Sequence, residues 1–135
     1  MQQPKVLLKK LQSLVKNKLT IDEEIINYLN VIFLDKSEKV IEVLKRGLRR
    51  YVYKPSNRVA WMAVGEDNEH LIYPQLYCSC QDFYKNVVIK RERPFCKHIL
   101  AQVIAEELNT FEQIEVPDEE FKYMIKDLEV KFPHS

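Results

Sequence analysis

All three cysteines of the chain fall between residues 78 and 96, as Cys78-Ser-Cys80 and, after fifteen intervening residues, Cys96-Lys-His98. This spacing constrains the fold more than any other feature. Two residues of an extended strand that are two apart project from the same face, so Cys78 and Cys80 can offer two sulfurs to one point. Cys96 and His98 cannot both sit inside a helix and converge, because residues two apart on a helix face different ways. They converge if Cys96 lies in the turn after Pro94 and His98 in the first turn of a following helix. Pro94 favours that boundary, since a proline pushes its neighbours toward extended and turn conformations. Three thiolates and an imidazole are the donor set that Zn²⁺ takes at a tetrahedral centre. The rival readings are buried thiols acting as small apolar groups and a redox-active Cys-x-Cys pair. An odd number of cysteines, all in one window and closed by a histidine, favours the metal, with Cys78, Cys80, Cys96 and His98 as ligands of one structural zinc ion. Four protein donors leave no open position for water or substrate. His70 and His134 stand outside the constellation.

Chain length and composition fit this reading. The 135 residues, 46% apolar and 30% charged, suit one soluble domain with a real core, so metal is not needed merely to staple a mini-protein. The expected organisation is a helical part over 1–48, a strand meander and finger over 49–108, and an acidic helix over 109–135. No run of eighteen apolar residues is present, and the lysine-studded N-terminus is not a secretory signal. A cytoplasmic location is expected, or nuclear in a eukaryote, where thiols stay reduced. Membrane partners and small-molecule substrates are not expected. There is no Gly-rich phosphate loop or nucleophile elbow, and no catalytic residues are assigned.

The net charge of +1 divides unevenly, with +6 over residues 1–54 and −5 over 55–135. Within the acidic half, Lys90, Arg91, Arg93 and Lys97 form a basic island beside the cysteines. These four cations would balance the −1 charge of a Cys₃His zinc site. They are also the candidate nucleic-acid contacts, in a strip extended by Lys85 and by Arg49, Arg50, Lys54 and Arg58. Aromatic residues at Trp61, Tyr73, Tyr77, Phe83 and Tyr84 are candidate interface anchors, with packing inside the meander as the alternative for each.

Hydrophobic periodicity predicts the elements. Leu7, Leu8, Leu11, Leu14 and Val15 repeat at helical spacing, as do Ile21, Ile25, Ile26, Leu29, Ile32 and Phe33. Thr20 and Glu23 form a capping-box pattern before the second run. A third helix through Val40, Ile41 and Leu44 has Asp35 or Ser37 as its cap and Gly47 as its stop. Residues 49–54, 58–65 and 70–78, rich in Tyr, Val, Ile and Trp, predict an antiparallel meander with Pro74 interrupting its last strand. Residues 81–90 predict a short helix. Residues 96–108 predict another, with Ile99, Leu100, Val103, Ile104 and Leu108 along one face, and a last helix is expected from about Pro117 to Val130. Helices, then strands, then helices give an α+β fold.

The pattern C-x-C-x15-C-x-H resembles the SWIM-type zinc finger, in which the Cys-x-Cys ends a β-hairpin and the Cys-x-His starts a helix. Its extension to C-x-H-x-x-A, with Ala101 in the last place, resembles the short SWIM proteins of Shu complexes. In the helix Ala101 shares a face with His98, where a small side chain lets the helix approach the hairpin. The resemblance covers residues 78–101. It implies a non-enzymatic partner of a RecA-like ATPase paralogue in homologous recombination and DNA repair, with single-stranded DNA touched directly or through that partner. A small zinc-stabilised protein that binds DNA itself is the alternative.

Overall fold

The computed structural model describes residues 3–66 and 68–124. Three helices come first: α1 Pro4–Val15, α2 Glu23–Ile32 and α3 Ser37–Arg46. Pro4 opens α1 at a position where its missing N–H costs nothing. The cap of α2 is not the expected Thr20. The Asp22 carboxylate accepts from the Ile25 N–H at 3.0 Å, with Glu23 and Glu24 next in the first turn. An acidic side chain at the positive end of the helix outcompetes the hydroxyl two residues earlier.

Neither Asp35 nor Ser37 caps α3 through its side chain. Leu34 and Asp35 both adopt left-handed backbone, with φ of 49° and 60°, and turn the chain sharply. The Ser37 N–H then donates to Asn30 Oδ1 of the preceding helix at 2.9 Å. Gly47, at φ +107°, ends α3 as expected, in backbone that residues with a Cβ rarely adopt.

The strands are β1 Leu48–Lys54, β2 Arg58–Val64, β3 Glu69–Tyr73, β4 Tyr77–Cys78 and, after the last full helix, β5 Glu112–Pro117. They form one sheet in the order β4-β3-β2-β1-β5. The first four are antiparallel neighbours, and the turn at Pro74 divides the expected third strand into β3 and β4. β5 is a correction. Residues 112–117 were expected within an acidic helical tail, yet they pair parallel to β1, with Tyr51 opposite Ile114 and Tyr53 opposite Val116. The chain is helical again from residue 119, and the part of the expected last helix beyond 124 lies outside the described residues.

Alternation along the strands separates two cores. Leu48, Trp61, Ala63, Ile72 and Cys78 face the helices and join Leu11, Val15, Ile25, Leu29, Val40 and Val43 in the larger core. Tyr53, Ala60, Met62 and Leu71 face the other way and are covered in part by Val116, Phe121 and Met124. Among the described residues, no helix is long and apolar enough to cross a membrane.

Between the sheet and helices α1 and α3 runs α4, Lys97–Leu108. The expected single apolar face is an underestimate. Every residue from His98 to Ala105 is buried, because α4 touches α1 and α3 on one side and β2, β3 and β4 on the other. It is the central rod of the fold, and it carries half of the candidate site at its N-terminus.

Candidate metal centre

The first pair of donors is held by the β3–β4 hairpin. Leu76 N–H closes the turn onto the Tyr73 carbonyl at 3.0 Å, with Gln75 in left-handed backbone at φ 65°. Cys78 pairs with Ile72 across the ladder. Ser79 then clamps the strand from both sides: its N–H donates to the Leu71 carbonyl and its Oγ accepts from the Leu71 N–H, each at 2.9 Å. This pair of hydrogen bonds fixes the backbone between the two cysteines, whose sulfurs both belong to the donor cluster. Sequence reasoning missed Ser79, since a serine between two cysteines carries no pattern of its own.

The connector between the two pairs is a compact excursion. The expected short helix is present at 83–89 in π form, Phe83–Ile89, burying Phe83. Asp82 holds the loop closed, accepting from Asn86 Nδ2 and Arg93 Nη2 at 2.7 Å each. The Arg93 guanidinium also lies over the Phe33 ring, 5.3 Å from its centroid. Phe95 then drops into the core at 1% exposure. Cys96 is the N-cap residue of α4 in extended backbone (φ −99°, ψ 171°), and His98 follows in the first turn. This is the arrangement that the Pro94 boundary predicts.

The four donor atoms of Cys78, Cys80, Cys96 and His98 lie within 4.8 Å of one another, and all four residues are buried. Cys96 Sγ and His98 Nδ1 are 3.9 Å apart. A tetrahedral ion with Zn–S bonds of about 2.3 Å separates its sulfurs by about 3.8 Å, so the cluster is sized for one zinc ion. The cysteines are free thiols rather than a disulfide.

Their protonation argues the same way. Hydrogen bonding with Cys80 pushes the Cys78 thiol strongly up, with burial adding to it. Burial pushes Cys96 up as well. Cys80 goes strongly down because Cys78 donates to it, with further help from Cys96 and His98. Three buried sulfurs packed this closely oppose one another's ionisation, and a dication is the group that lets all three ionise. Zinc binding is therefore expected to release protons from the cluster, because the ligand is the thiolate and burial favours the protonated thiol. Retained protons compete with the ion, so affinity falls as pH falls. Calorimetric titration in buffers of different ionisation enthalpy measures the number directly.

Ala101 is fully buried, one turn below His98 on the packed face of α4. Ala101→Leu is expected to destabilise the protein by about 1–3 kcal/mol through overpacking, read as a lower urea midpoint. His70, expected to be uninvolved, is not among the donors, but its ring tilts onto His98 with centroids 4.8 Å apart. Both line a groove of about 330 Å³ with Glu42, Arg46, Glu66 and Lys97.

The four cations of the basic island have different surroundings. Lys90 and Arg91 are exposed, Arg93 is engaged by Asp82, and Lys97 faces the groove shared with Glu42 and Glu66. The wider strip is also interrupted, since Arg49 pairs with Glu69 at 3.0 Å and Arg50 donates to Gln113 at 2.6 Å. Of the five aromatic candidates, Trp61 and Phe83 are core residues, while Tyr73, Tyr77 and Tyr84 are exposed.

No protein-family model matches the chain, and no solved structure does. Curated proteins do. The chain is similar to the zinc finger SWIM domain-containing protein 7 homolog of Dictyostelium discoideum, with 30% identity over 113 residues, spanning 82% of this chain and 72% of that protein. It is similar to zinc finger SWIM domain-containing protein 7 of Homo sapiens at 25% identity, spanning 84% of this chain and 83% of the human protein. The Mus musculus protein of that name is 24% identical, over 90% of this chain and 81% of its own length. Alignments of 113 to 125 residues run far beyond the finger at residues 78–101, so the likeness is not confined to four ligands. The chain belongs to the zinc finger SWIM domain-containing protein 7 family.

Proposed function

We propose that this chain is a non-enzymatic interaction subunit that docks on a RecA-like ATPase paralogue and serves homologous recombination and DNA repair, in the compartment that holds the DNA. The observation that carries the reading is the closed, buried Cys₃His cluster. Four protein donors saturate the ion, which makes the centre a structural brace rather than a site of chemistry. The brace joins the β3–β4 hairpin to α4, and so fixes the shape of the surface around both. The resemblance of C-x-C-x15-C-x-H-x-x-A to the Shu-type SWIM proteins supplies the class of partner.

Co-expression with the RecA-like ATPase paralogues of its own source tests the reading. A stable complex with one of them, carrying one zinc per copy of this chain, is the expected result. A chain that stays monodisperse alone and binds none of them ends the partner claim.

A second reading, direct DNA binding, draws on the exposed Lys90 and Arg91 near the exposed Tyr84. It is weakened by the engagement of Arg93, Arg49 and Arg50 described above. Affinity for single-stranded DNA at two salt concentrations separates the two. A steep fall with salt favours phosphate contacts by this chain, and no binding at low salt removes the idea.

A further inference from the structure

Six of the eleven exposed large apolar side chains among the described residues lie between Tyr73 and Ile89, on the finger itself. The tip of the β3–β4 hairpin supplies three: Leu76 at 79% exposure, with Tyr73 and Tyr77 at 37% and 39%. A line of rings ties this tip to the connector, Tyr73 to Tyr77 at 6.1 Å and Tyr77 to Phe83 at 5.6 Å. Phe83 is buried and begins the π-helix, whose other exposed apolar residues are Tyr84, Val88 and Ile89.

The π form decides how these residues are displayed. Its hydrogen bonds run from residue i+5 to i, as in Lys90 N–H to the Lys85 carbonyl at 2.9 Å, so residues four and five apart share one side of the helix. Tyr84 shares its side with Val88 and Ile89, and Lys85 is followed by Lys90 at the end of the helix. The result is one apolar row beside one basic row, while Phe83 and Val87 turn inward to the core. Across residues 73–91 the charged side chains are Lys85, Lys90, Arg91 and Asp82. Asp82 is already engaged by Arg93. Glu92, also exposed, follows Arg91, so the apolar face is bordered by three exposed cations against one exposed acid, an excess of positive charge.

We propose that the hairpin tip and the exposed rows of the π-helix form a docking face for a protein partner that presents an apolar ridge bordered by acidic side chains. The aliphatic residues decide for protein over nucleic acid. Leu76 and Ile89 are more exposed than Tyr73 and Tyr77, and they bury area against other apolar groups but offer no stacking surface to a base. The basic row selects an acidic rim and sets orientation. The proposal rests on the interaction-subunit reading and gives that reading its surface.

The test uses the full, zinc-loaded chain with three labelled probes in fluorescence anisotropy. They are an amphipathic helical peptide with a leucine ridge bordered by glutamates, the same peptide with lysines in place of the glutamates, and a 20-nucleotide oligothymidylate. The glutamate peptide is expected to bind at least about tenfold more tightly than the lysine peptide. Ile89→Asp and, independently, Leu76→Asp are expected to weaken it by about 30-fold or more at unchanged zinc content. Equal binding of the two peptides, no binding of either, or indifference to both substitutions overturns the proposal. So does oligothymidylate binding that Ile89→Asp abolishes, which would make the face a nucleic-acid platform. An ATPase paralogue that binds the two variants as tightly as the parent chain overturns the face and leaves the partner class standing. Paralogues that all fail to bind while the glutamate peptide binds overturn the partner class and leave the face.

Discussion

Cys96→Ser is expected to reduce bound zinc from one ion per chain to nearly none and to lower stability by several kcal/mol. The substitution is close to isosteric, so it opens almost no cavity in a position that is fully buried. What it removes is a thiolate. A serine hydroxyl is a poor ligand for zinc, and two sulfurs with one imidazole hold the ion far less tightly than four donors. Cys96 is also where the hairpin and α4 are joined, at the cap of the helix that touches α1, α3 and three strands. Loss of the ion therefore releases the connector and the start of α4 together, while α1–α3 and the β1–β2 pair carry no ligand and keep their own contacts. Metal analysis of the purified variant, urea unfolding and amide exchange over residues 74–98 check each part. Chelation of zinc from the unaltered chain should reproduce the same exchange pattern. A Cys96→Ser protein that keeps its ion or its urea midpoint would show that the four donors do not act as one centre.

The features read correctly from the chain are those that local chemistry determines. Apolar residues at helical spacing locate α1, α2 and α3, and Gly47 marks a stop that only its backbone freedom explains. The Cys-x-Cys and Cys-x-His pairs, with Pro94 between the loop and α4, are enough to place Cys96 outside the helix and His98 inside it. What escapes is non-local. β5 is six residues with Glu112 and Glu115 between weakly apolar partners, and its pairing with β1 joins residues about 60 positions apart. Nothing nearby in sequence distinguishes it from an acidic helical tail. The burial of α4 on all sides depends on α1 and α3 meeting the sheet around it, which Gln102 and Ala105 do not announce. The basic island reads as one patch in sequence because its members are adjacent, and it divides in space because Asp82, eleven residues before Arg93, reaches back to take that guanidinium.

Phe95→Ala should be the most costly single change outside the ligands, at about 3–5 kcal/mol. Phe95 leads the fully buried side chains in size, and it sits in the larger core between Pro94 and Cys96. Its neighbours cannot close readily over the space it leaves. On one side the ligands hold the chain at Cys96, and on the other Asp82 and Arg93 pin the connector. The cavity should therefore remain largely open, which places the cost in the upper part of the range for core truncations. For a chain of this size that corresponds to a fall in Tm of roughly 10–20 °C. Zinc stoichiometry should stay at one, because no donor is altered, but apparent zinc affinity should drop with the folding energy to which it is coupled. Phe95→Leu, which refills most of the volume, should recover most of the Tm. Calorimetry of zinc-loaded protein with metal analysis on the same samples separates the two effects. A Phe95→Ala protein that loses zinc outright at low temperature would mean that Phe95 positions Cys96 directly; one that loses neither Tm nor affinity would mean that the corner is set by the ion alone.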